Sequence, residues 1–304
     1  MPGWRGDAVT APLLAGVELG GTKSIAVLAR GSEILEQAVW PTLSPEETLG
    51  RISGQLRQWH RAHGFSAVGI ASFGPVRLDR SAPDYGCILQ TPKPGWSGAP
   101  VAARLMAGLD CPWQIDTDVN AAALAEYLWG AGQGCRSLCY ITIGTGVGGG
   151  LVIDGQPVHG ALHPEIGHLR LKRALGDEFP GACRFHGDCV EGLISGPALE
   201  KRLRRDPALV TDGDTCWDEV ASDLAELAAA ILLTVSAERI LVGGGVAIER
   251  PFLLERARVL LVENLGGYLP FIDKESVHDV LRQPALGRRA GPLGAVALAA
   301  TLAA

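Results

Sequence analysis

Glycine-rich turns between short apolar segments constrain the fold of this chain more than any other feature. Residues 13–40 contain three short, partly alternating apolar segments separated by such turns, and residues 137–160 repeat the pattern. Short apolar runs bounded by glycine turns are typical of strand meanders. Helical patterns and further strands follow each meander, so the sequence predicts a duplicated α/β unit.

The order of the remaining patterns predicts two α/β domains that face each other across a cleft. We assign residues 1–120 to the first domain and residues 121–304 to the second. A final alanine-rich helix, at about 293–303, is expected to pack back on the first domain. Ligands commonly bind in clefts of this kind, and the glycine turns are expected to lie there.

Composition excludes several classes of protein. The 304 residues include 27 basic and 33 acidic side chains, and the resulting formal charge of −6 argues against nucleic acid as a partner. No apolar run approaches the roughly 20 residues that span a bilayer, so no membrane partner is expected. Seven cysteines, an odd number, make a complete disulfide framework improbable and favour a cytoplasmic location.

Three glycine clusters are candidates for binding nucleotide phosphates. Glycine lets backbone N–H groups approach an anion closely, and successive N–H groups form an anion-binding concavity. A tight hairpin is the structural alternative for any one cluster, but five glycines in seven positions at 144–150 exceed what a hairpin needs. The candidate residues are Gly20, Gly21, Thr22, Lys23, Gly144, Thr145, Gly146, Gly148, Gly243, Gly244 and Gly245.

Acidic side chains follow a predicted strand at Asp116-Thr117-Asp118-Val119-Asn120, directly before a helical pattern. Asp and Asn are favoured helix N-caps, which is one interpretation of the segment. The other makes Asp118 a general base that accepts the proton of a substrate hydroxyl during phosphoryl transfer. Glu18, near the first glycine cluster, could hold Mg²⁺ through water. Spacing alone does not decide between cap and base.

His168, Cys183, His186 and Cys189 form the pattern H-x14-C-x2-H-x2-C. Two histidines and two cysteines are a complete tetrahedral ligand set for structural Zn²⁺. The metal would stabilise the loop that carries Glu165 and Glu191. Nearby, His159 and His163 are interpreted as polar loop residues rather than ligands.

These motifs together resemble the ROK sugar kinases, from about residue 15 to about residue 300. The resemblance rests on Gly20–Lys23, Asp118-Val119-Asn120, Gly144–Gly150, Glu165-Ile166-Gly167-His168 and Cys189-Val190-Glu191, which occur in the family's order. Within the family the chain is most similar to bacterial fructokinases. The branch features are Glu18, Ser72-Phe73-Gly74-Pro75, Thr91-Pro92-Lys93, Thr117, His163-Pro164-Glu165 and the histidine between Cys183 and Cys189.

The resemblance implies two actin-like, hexokinase-type domains that close on ATP and a hexose. It makes Asp118 the catalytic base and matches Thr117, Glu165, His168 and Glu191 to sugar-binding positions, with His168 also a zinc ligand. Gly20–Lys23 and Gly144–Gly148 match the phosphate turns, and Gly243–Gly245 the adenosine site. ATP, Mg²⁺ and structural Zn²⁺ are the expected cofactors, and a homodimer is the expected assembly.

Three departures from the family pattern bear on the substrate. Glucokinases of the family have Asn where this chain has Thr117, which argues for fructose over glucose. They also have a cysteine-rich zinc motif where this chain has His186. Arg288-Arg289-Ala290 stands where many members have Asn-Ala-Gly, so no nucleotide contact is predicted there.

Two alternatives to a fructokinase remain at this point. The first is a ROK kinase for glucose, mannose or an N-acetylhexosamine, because one sequence does not reveal the shape of the sugar pocket. The second is a sugar-sensing transcription regulator. Those place a helix-turn-helix module before the kinase-like part, and about 14 residues before the first strand are too few for one.

Overall fold

The structure, a computed structural model, describes residues 11–303. By its contacts the chain forms two compact units. The first comprises the described parts of 1–133, 155–164 and 288–304, and the second comprises 134–154 and 165–287. The units therefore interleave along the sequence, whereas the two predicted domains are contiguous ranges.

The described residues form ten strands and ten α-helices. The strands are β1 (Leu13–Leu19), β2 (Lys23–Arg30), β3 (Glu33–Pro41), β4 (Val68–Ser72), β5 (Trp113–Thr117), β6 (Ser137–Ile143), β7 (Val147–Ile153), β8 (Gln156–Pro157), β9 (Arg239–Gly243) and β10 (Leu281–Arg282). The helices are α1 (Pro45–His63), α2 (Val101–Met106), α3 (Asp118–Trp129), α4 (Val190–Ile194), α5 (Gly196–Leu203), α6 (Cys216–Val235), α7 (Gly245–Glu249), α8 (Pro251–Leu265), α9 (Val277–Val280) and α10 (Ala290–Ala300).

Local signals determine the ends of several helices. Helix α1 begins after Ser44, whose hydroxyl accepts from the Glu47 N–H at 3.3 Å, and Pro45 occupies the first turn. It ends at Gly64, which adopts the left-handed conformation that glycine tolerates best. A capping hydroxyl at one end and a left-handed glycine at the other therefore bound this helix.

The sheet of the first unit has the order β3-β2-β1-β4-β5. Strands β1, β2 and β3 pair antiparallel, whereas β4 and β5 extend the sheet in parallel from β1. Alternation along β2 sends Ala26 and Leu28 to the core shared with α1 and α2. Ile25 and Val27 face the other core, to which α10 contributes.

Small residues let α10 lie unusually close to this sheet and to α3. A Cβ atom on Gly69 of β4 would be 1.8 Å from the Ala295 carbonyl oxygen, and one on Gly294 would be 2.5 Å from the Ala121 carbonyl carbon. Any larger residue at either position would have to displace backbone. This packing places the first turn of α10 beside the end of β1.

The second unit repeats the arrangement of the first. Strand β6 pairs antiparallel with β7 and parallel with β9, and β10 lies parallel beyond β9. The order β10-β9-β6-β7 thus reproduces β5-β4-β1-β2. The predicted fold class of two α/β sheets built on one plan is confirmed. Within residues 11–303, no helix combines the length and the apolar character that crossing a bilayer would require.

Candidate active site

The junction of β5 and α3 carries Asp118 as the first residue of the helix. The cap is Thr117, whose hydroxyl accepts from the Asn120 N–H at 3.2 Å. The Asp118 carboxylate accepts from the Val119 N–H at 2.9 Å. Capping is therefore performed by the residue before Asp118. The helix also begins three residues earlier than the sequence patterning predicts, because this cap precedes the alanine-rich run.

The carboxyl groups of Asp118 and Glu18 have strongly perturbed acidity. Burial raises the pKa of Asp118 to about 6, and the hydrogen bond from Val119 only partly offsets this effect. Burial also raises the pKa of Glu18 to about 7, the charge of Asp118 adds to the rise, and Lys23 opposes it. The effect of the Asp118 charge on the pKa of Glu18 places the two carboxyl groups at the same site. Glu18 lies against Gly291, in the first turn of α10.

The first glycine cluster forms the tight turn between β1 and β2. The Gly20 N–H donates to the Lys23 carbonyl at 3.1 Å, and a Cβ on Gly20 would be 2.7 Å from that oxygen. Gly21, Thr22 and Lys23 are exposed at the tip of the turn. The Lys93 ammonium group donates to the Gly21 carbonyl. The turn thus presents backbone to solvent between two cationic side chains.

The turn formed by the second glycine cluster is shorter than the sequence suggests. Only Gly144, Thr145 and Gly146 lie between β6 and β7, while Gly148 and its two glycine neighbours belong to β7. One reason for glycine in this strand is packing, because a Cβ on Gly149 would be 1.8 Å from the Cδ1 atom of Ile166.

Glu191, in α4, lies directly against this second turn. Its Oε2 atom accepts from the Val147 N–H at 3.2 Å, and a Cβ on Gly146 would approach the same oxygen to 2.7 Å. The Gly196 N–H donates to the Gly144 carbonyl at 2.7 Å. The structure therefore brings a predicted sugar-binding carboxylate and a predicted phosphate turn together.

The third cluster connects β9 to α7. Gly244 caps α7 with a φ of 84°, and its Cβ would be 2.4 Å from backbone atoms of Ile143, so packing against β6 requires a glycine there. A Cβ on Gly243 would be 2.5 Å from the Tyr140 hydroxyl, whereas Gly245 faces open space. An apolar pocket adjoins the cluster, lined by residues that include Val242, Ala247 and Leu253.

The predicted metal ligands converge in the second unit. The ligand atoms of His168, Cys183, His186 and Cys189 all lie within 4.8 Å of one another. His168 Nδ1 is 3.8 Å from Cys183 Sγ and 3.5 Å from Cys189 Sγ, and His186 Nδ1 is 3.9 Å from Cys183 Sγ. Zn–S bonds of about 2.3 Å and Zn–N bonds of about 2.0–2.1 Å in a tetrahedron imply S···N separations of about 3.6 Å. The donor set and its spacing fit Zn²⁺.

The segment that leads into this cluster contains the other predicted sugar-binding residues. Glu165 is exposed directly before the 3-10 turn Ile166–His168. Because Nδ1 of His168 faces the thiols, its Nε2 atom is directed away from them. His163 is buried, and its Nε2 accepts from the Val76 N–H at 3.3 Å. Burial lowers the pKa of His163, which favours the neutral imidazole that this contact requires.

Comparison with known proteins identifies the family to which the chain belongs. The model of the ROK family matches residues 14–301, which is nearly the whole chain. The chain belongs to the ROK family.

Other ROK proteins agree with this assignment in both sequence and structure. A fructokinase of Zymomonas mobilis is 40% identical over 294 residues, covering 93% of this chain and 95% of the relative. The crystal structure of a ROK hexokinase from Thermus thermophilus is similar with a TM-score of 0.75 and 28% identity, covering 96% of this chain and 99% of that one. A Streptomyces griseus ROK glucokinase, solved with glucose and AMPPNP, has a TM-score of 0.74 and 27% identity over 95% and 99% of the two chains. The actin-like fold predicted from the resemblance is confirmed.

Sequence reasoning missed two contacts at this ROK site. Glu18 packs on Gly291, and His159, which the sequence identifies only as a polar loop residue, binds Asp116 at 2.8 Å. Neither contact has a local signal, because the partners are far apart along the chain. The first unit thus brings together Glu18, the first glycine turn and Asp118, and the second unit brings together Glu191, the second turn and the metal ligands.

Proposed function

We propose that this ROK protein transfers the γ-phosphoryl group of ATP to the 6-hydroxyl of D-fructose. The observation that carries the proposal is Asp118, a half-buried carboxylate at the start of α3 whose pKa is raised to about 6. The 40% identity to a fructokinase over 93% of this chain supports fructose as the sugar.

Asp118 is suited to serve as the general base. A carboxyl group with a pKa of about 6 is mostly ionised at neutral pH, yet it is more basic than an ordinary aspartate. It would accept the proton of the sugar hydroxyl as the new O–P bond forms and the bond from the γ-phosphorus to the bridging oxygen breaks. The products are fructose 6-phosphate, ADP and a proton.

The glycine turns would bind the phosphates of ATP. Phosphoryl transfer needs little covalent chemistry from the protein and depends on positioning and on charge neutralisation. Gly21, Thr22 and Lys23 offer exposed backbone and a cation, and Gly144–Gly146 offers a second turn. Mg²⁺, when bound with ATP, neutralises charge on the phosphates, and Glu18 would hold it through water. We assign the turn Gly243–Gly245, where β9 meets α7, to the adenosine moiety.

The sugar would be recognised by carboxylate and imidazole groups. Glu165, Glu191 and the Nε2 atom of His168 are the proposed partners of its hydroxyls. Zn²⁺ would be held by His168, Cys183, His186 and Cys189, whose closed four-ligand set indicates a structural role. Holding His168 by Nδ1 would orient the ring for its second contact.

Two further proposals concern the whole protein. A cytoplasmic location is consistent with seven cysteines that are all free thiols in the structure. A homodimer is the proposed assembly, to be checked by size-exclusion chromatography with light scattering.

The test is ADP release with Mg-ATP, comparing fructose, glucose, mannose and N-acetylmannosamine at equal concentration. We expect a strong preference for fructose. A preference for another hexose would support kinase activity but contradict the inference that Thr117 favours fructose. The absence of activity with all four sugars would contradict the proposal for these substrates.

The variant D118N tests the base directly. Asparagine preserves size and the contact with Val119 but cannot accept the proton, so we expect the variant to fold normally and to lose nearly all turnover. A rate close to wild type would remove Asp118 from the mechanism.

A further inference from the structure

A fully buried carboxylate precedes the proposed base by two residues. Asp116, at the end of β5, has a relative exposure of 0%. Its Oδ1 atom accepts from the Thr117 N–H at 2.7 Å and from the Asn120 amide nitrogen at 2.8 Å. Its Oδ2 atom pairs with His159 Nε2 at 2.8 Å. Three partners on two oxygens make Asp116 the centre of a polar network.

This network determines the conformation of the turn that carries Asp118. The Asn120 backbone N–H donates to the Thr117 hydroxyl, and its side-chain amide donates to Asp116 and also lies 3.4 Å from His159 Nε2. The Asn120 Oδ1 atom is buried without a hydrogen-bond partner among residues 11–303. An amide oxygen turned toward Asp116 would be repelled by the carboxylate, so the carboxylate dictates the orientation of this side chain. Asp118 lies between the two residues that Asp116 holds.

His159 completes the network from a distant part of the chain. Its segment, 155–164, belongs to the same compact unit as β5 and α3. The imidazole side chain is 38% exposed, while its partner Asp116 is 1% exposed. The hydrogen bond with Asp116 raises the pKa of His159, which favours a donating, positively charged ring. Without this partner the buried Asp116 carboxylate would be left with the neutral donors of Thr117 and Asn120, which compensate for its desolvation less than a charged ring does.

We propose that His159 is a positioning residue that acts through Asp116 to orient the base Asp118. This inference rests on the proposed function, since it presupposes that Asp118 accepts the proton. Without the imidazole, the Asp116 carboxylate would lose its Oδ2 partner and turn toward another donor. That rotation weakens its hold on Thr117 or Asn120 and shifts Asp118, while the glycine turns proposed to bind the nucleotide stay in place.

The experiment compares H159L with H159Q. Glutamine places an N–H donor at about the same reach as Nε2, whereas leucine preserves bulk and removes the donor. We expect kcat of H159L to fall at least about tenfold, with KM for ATP and sugar changing less than about threefold. We expect H159Q to recover most of the rate.

His63 provides a matched control. It is exposed to a similar degree, 43%, and pairs with the Glu36 carboxylate at 2.9 Å, but that carboxylate is itself 45% exposed and far along the chain from the base. We expect H63L to retain the wild-type kcat. A common loss of rate in H63L and H159L would show a general effect of removing a histidine side chain and would overturn the proposal.

Double substitution separates positioning from folding. If His159 acts through Asp118, H159L should not slow the residual activity of D118N further. An additional loss in the double variant, wild-type kcat in H159L, or an H159Q variant as slow as H159L would each overturn the proposal. If D118N itself retains full turnover, the proposed function fails first, so the two failures are distinguishable.

Discussion

Replacing Gly291 by alanine should damage catalysis while leaving the fold nearly intact. Gly291 lies in the first turn of α10, and a Cβ atom there would be 2.2 Å from Glu18 Oε1 and 2.4 Å from Glu18 Cδ. Ordinary contacts begin at 3.4 Å. The carboxylate would therefore have to retreat by roughly 1 Å to restore van der Waals separation.

The contacts of Gly291 determine how large the effects of G291A on stability and on kcat should be. The obstacle is the end of a flexible side chain, so the fold needs only a side-chain adjustment, and alanine in place of glycine favours a helix by up to about 1 kcal/mol. The carboxylate, in contrast, leaves its position beside Asp118 and Lys23. A misplacement of about 1 Å at an active site can cost about 100-fold in rate, so we expect kcat of G291A to fall about 10- to 100-fold.

The assay is ADP release with fructose, paired with thermal unfolding. Two other glycines serve as controls. In G69A the new Cβ would be 1.8 Å from the backbone oxygen of Ala295, so α10 itself must shift and the free energy of unfolding should fall by at least about 1–3 kcal/mol. In G54A nothing lies within 4 Å of the Cβ, and helix α1 should gain up to about 1 kcal/mol.

The reasoning would be refuted if G291A had a wild-type kcat at an unchanged melting temperature. That result would mean that the position of Glu18 does not matter for turnover. A melting temperature lowered as far as that of G69A would also count against it, because the clash would then be with the fold rather than with a side chain.

Other predictions concern protons, metal and buried charge. The proposed roles of Asp118 and Glu18 require ionised carboxylates, so kcat/KM should fall as the pH is lowered through about 7 and again through about 6, and the residual activity of D118N should lack the fall near pH 6. Purified protein should contain close to one zinc per chain, and both chelation and C183S should lower the melting temperature; metal-free protein of full stability would exclude the zinc site. R202M should lose about 3–5 kcal/mol of unfolding free energy, measured with urea, because it leaves the buried carboxylate of Asp177, 2.6 Å away, without this partner; a loss below about 1 kcal/mol would contradict that reasoning.

Local chemistry made much of this protein readable from sequence. Glycine clusters between apolar runs located the turns, and the H-x14-C-x2-H-x2-C pattern identified four side chains that do converge. These features are predictable because their causes, backbone freedom and ligand chemistry, act within a few residues. The repeat of the meander predicted the duplicated sheet for the same reason.

The length of the second glycine turn and the residue that caps α3 could be identified only from the folded structure. Gly148 lies in β7 rather than in the turn before it, and Thr117 rather than an acidic residue caps α3. In the first case several neighbouring glycines could form the turn, and the packing of Ile166 on β7 decides which of them belong to the strand. In the second case several neighbouring polar residues could cap α3, and the hydrogen bonds of Asp116 hold the start of the helix in place.

The sequence by itself identified the fold class and the candidates for the phosphate turns, the base and the metal ligands. Only the tertiary structure decided what surrounds that base: Glu18 against Gly291, and His159 on the buried Asp116. The physical reason is that desolvation and charge pairing depend on which distant segments fold together. Those two effects set the pKa and the orientation of a carboxylate, and no local pattern encodes them.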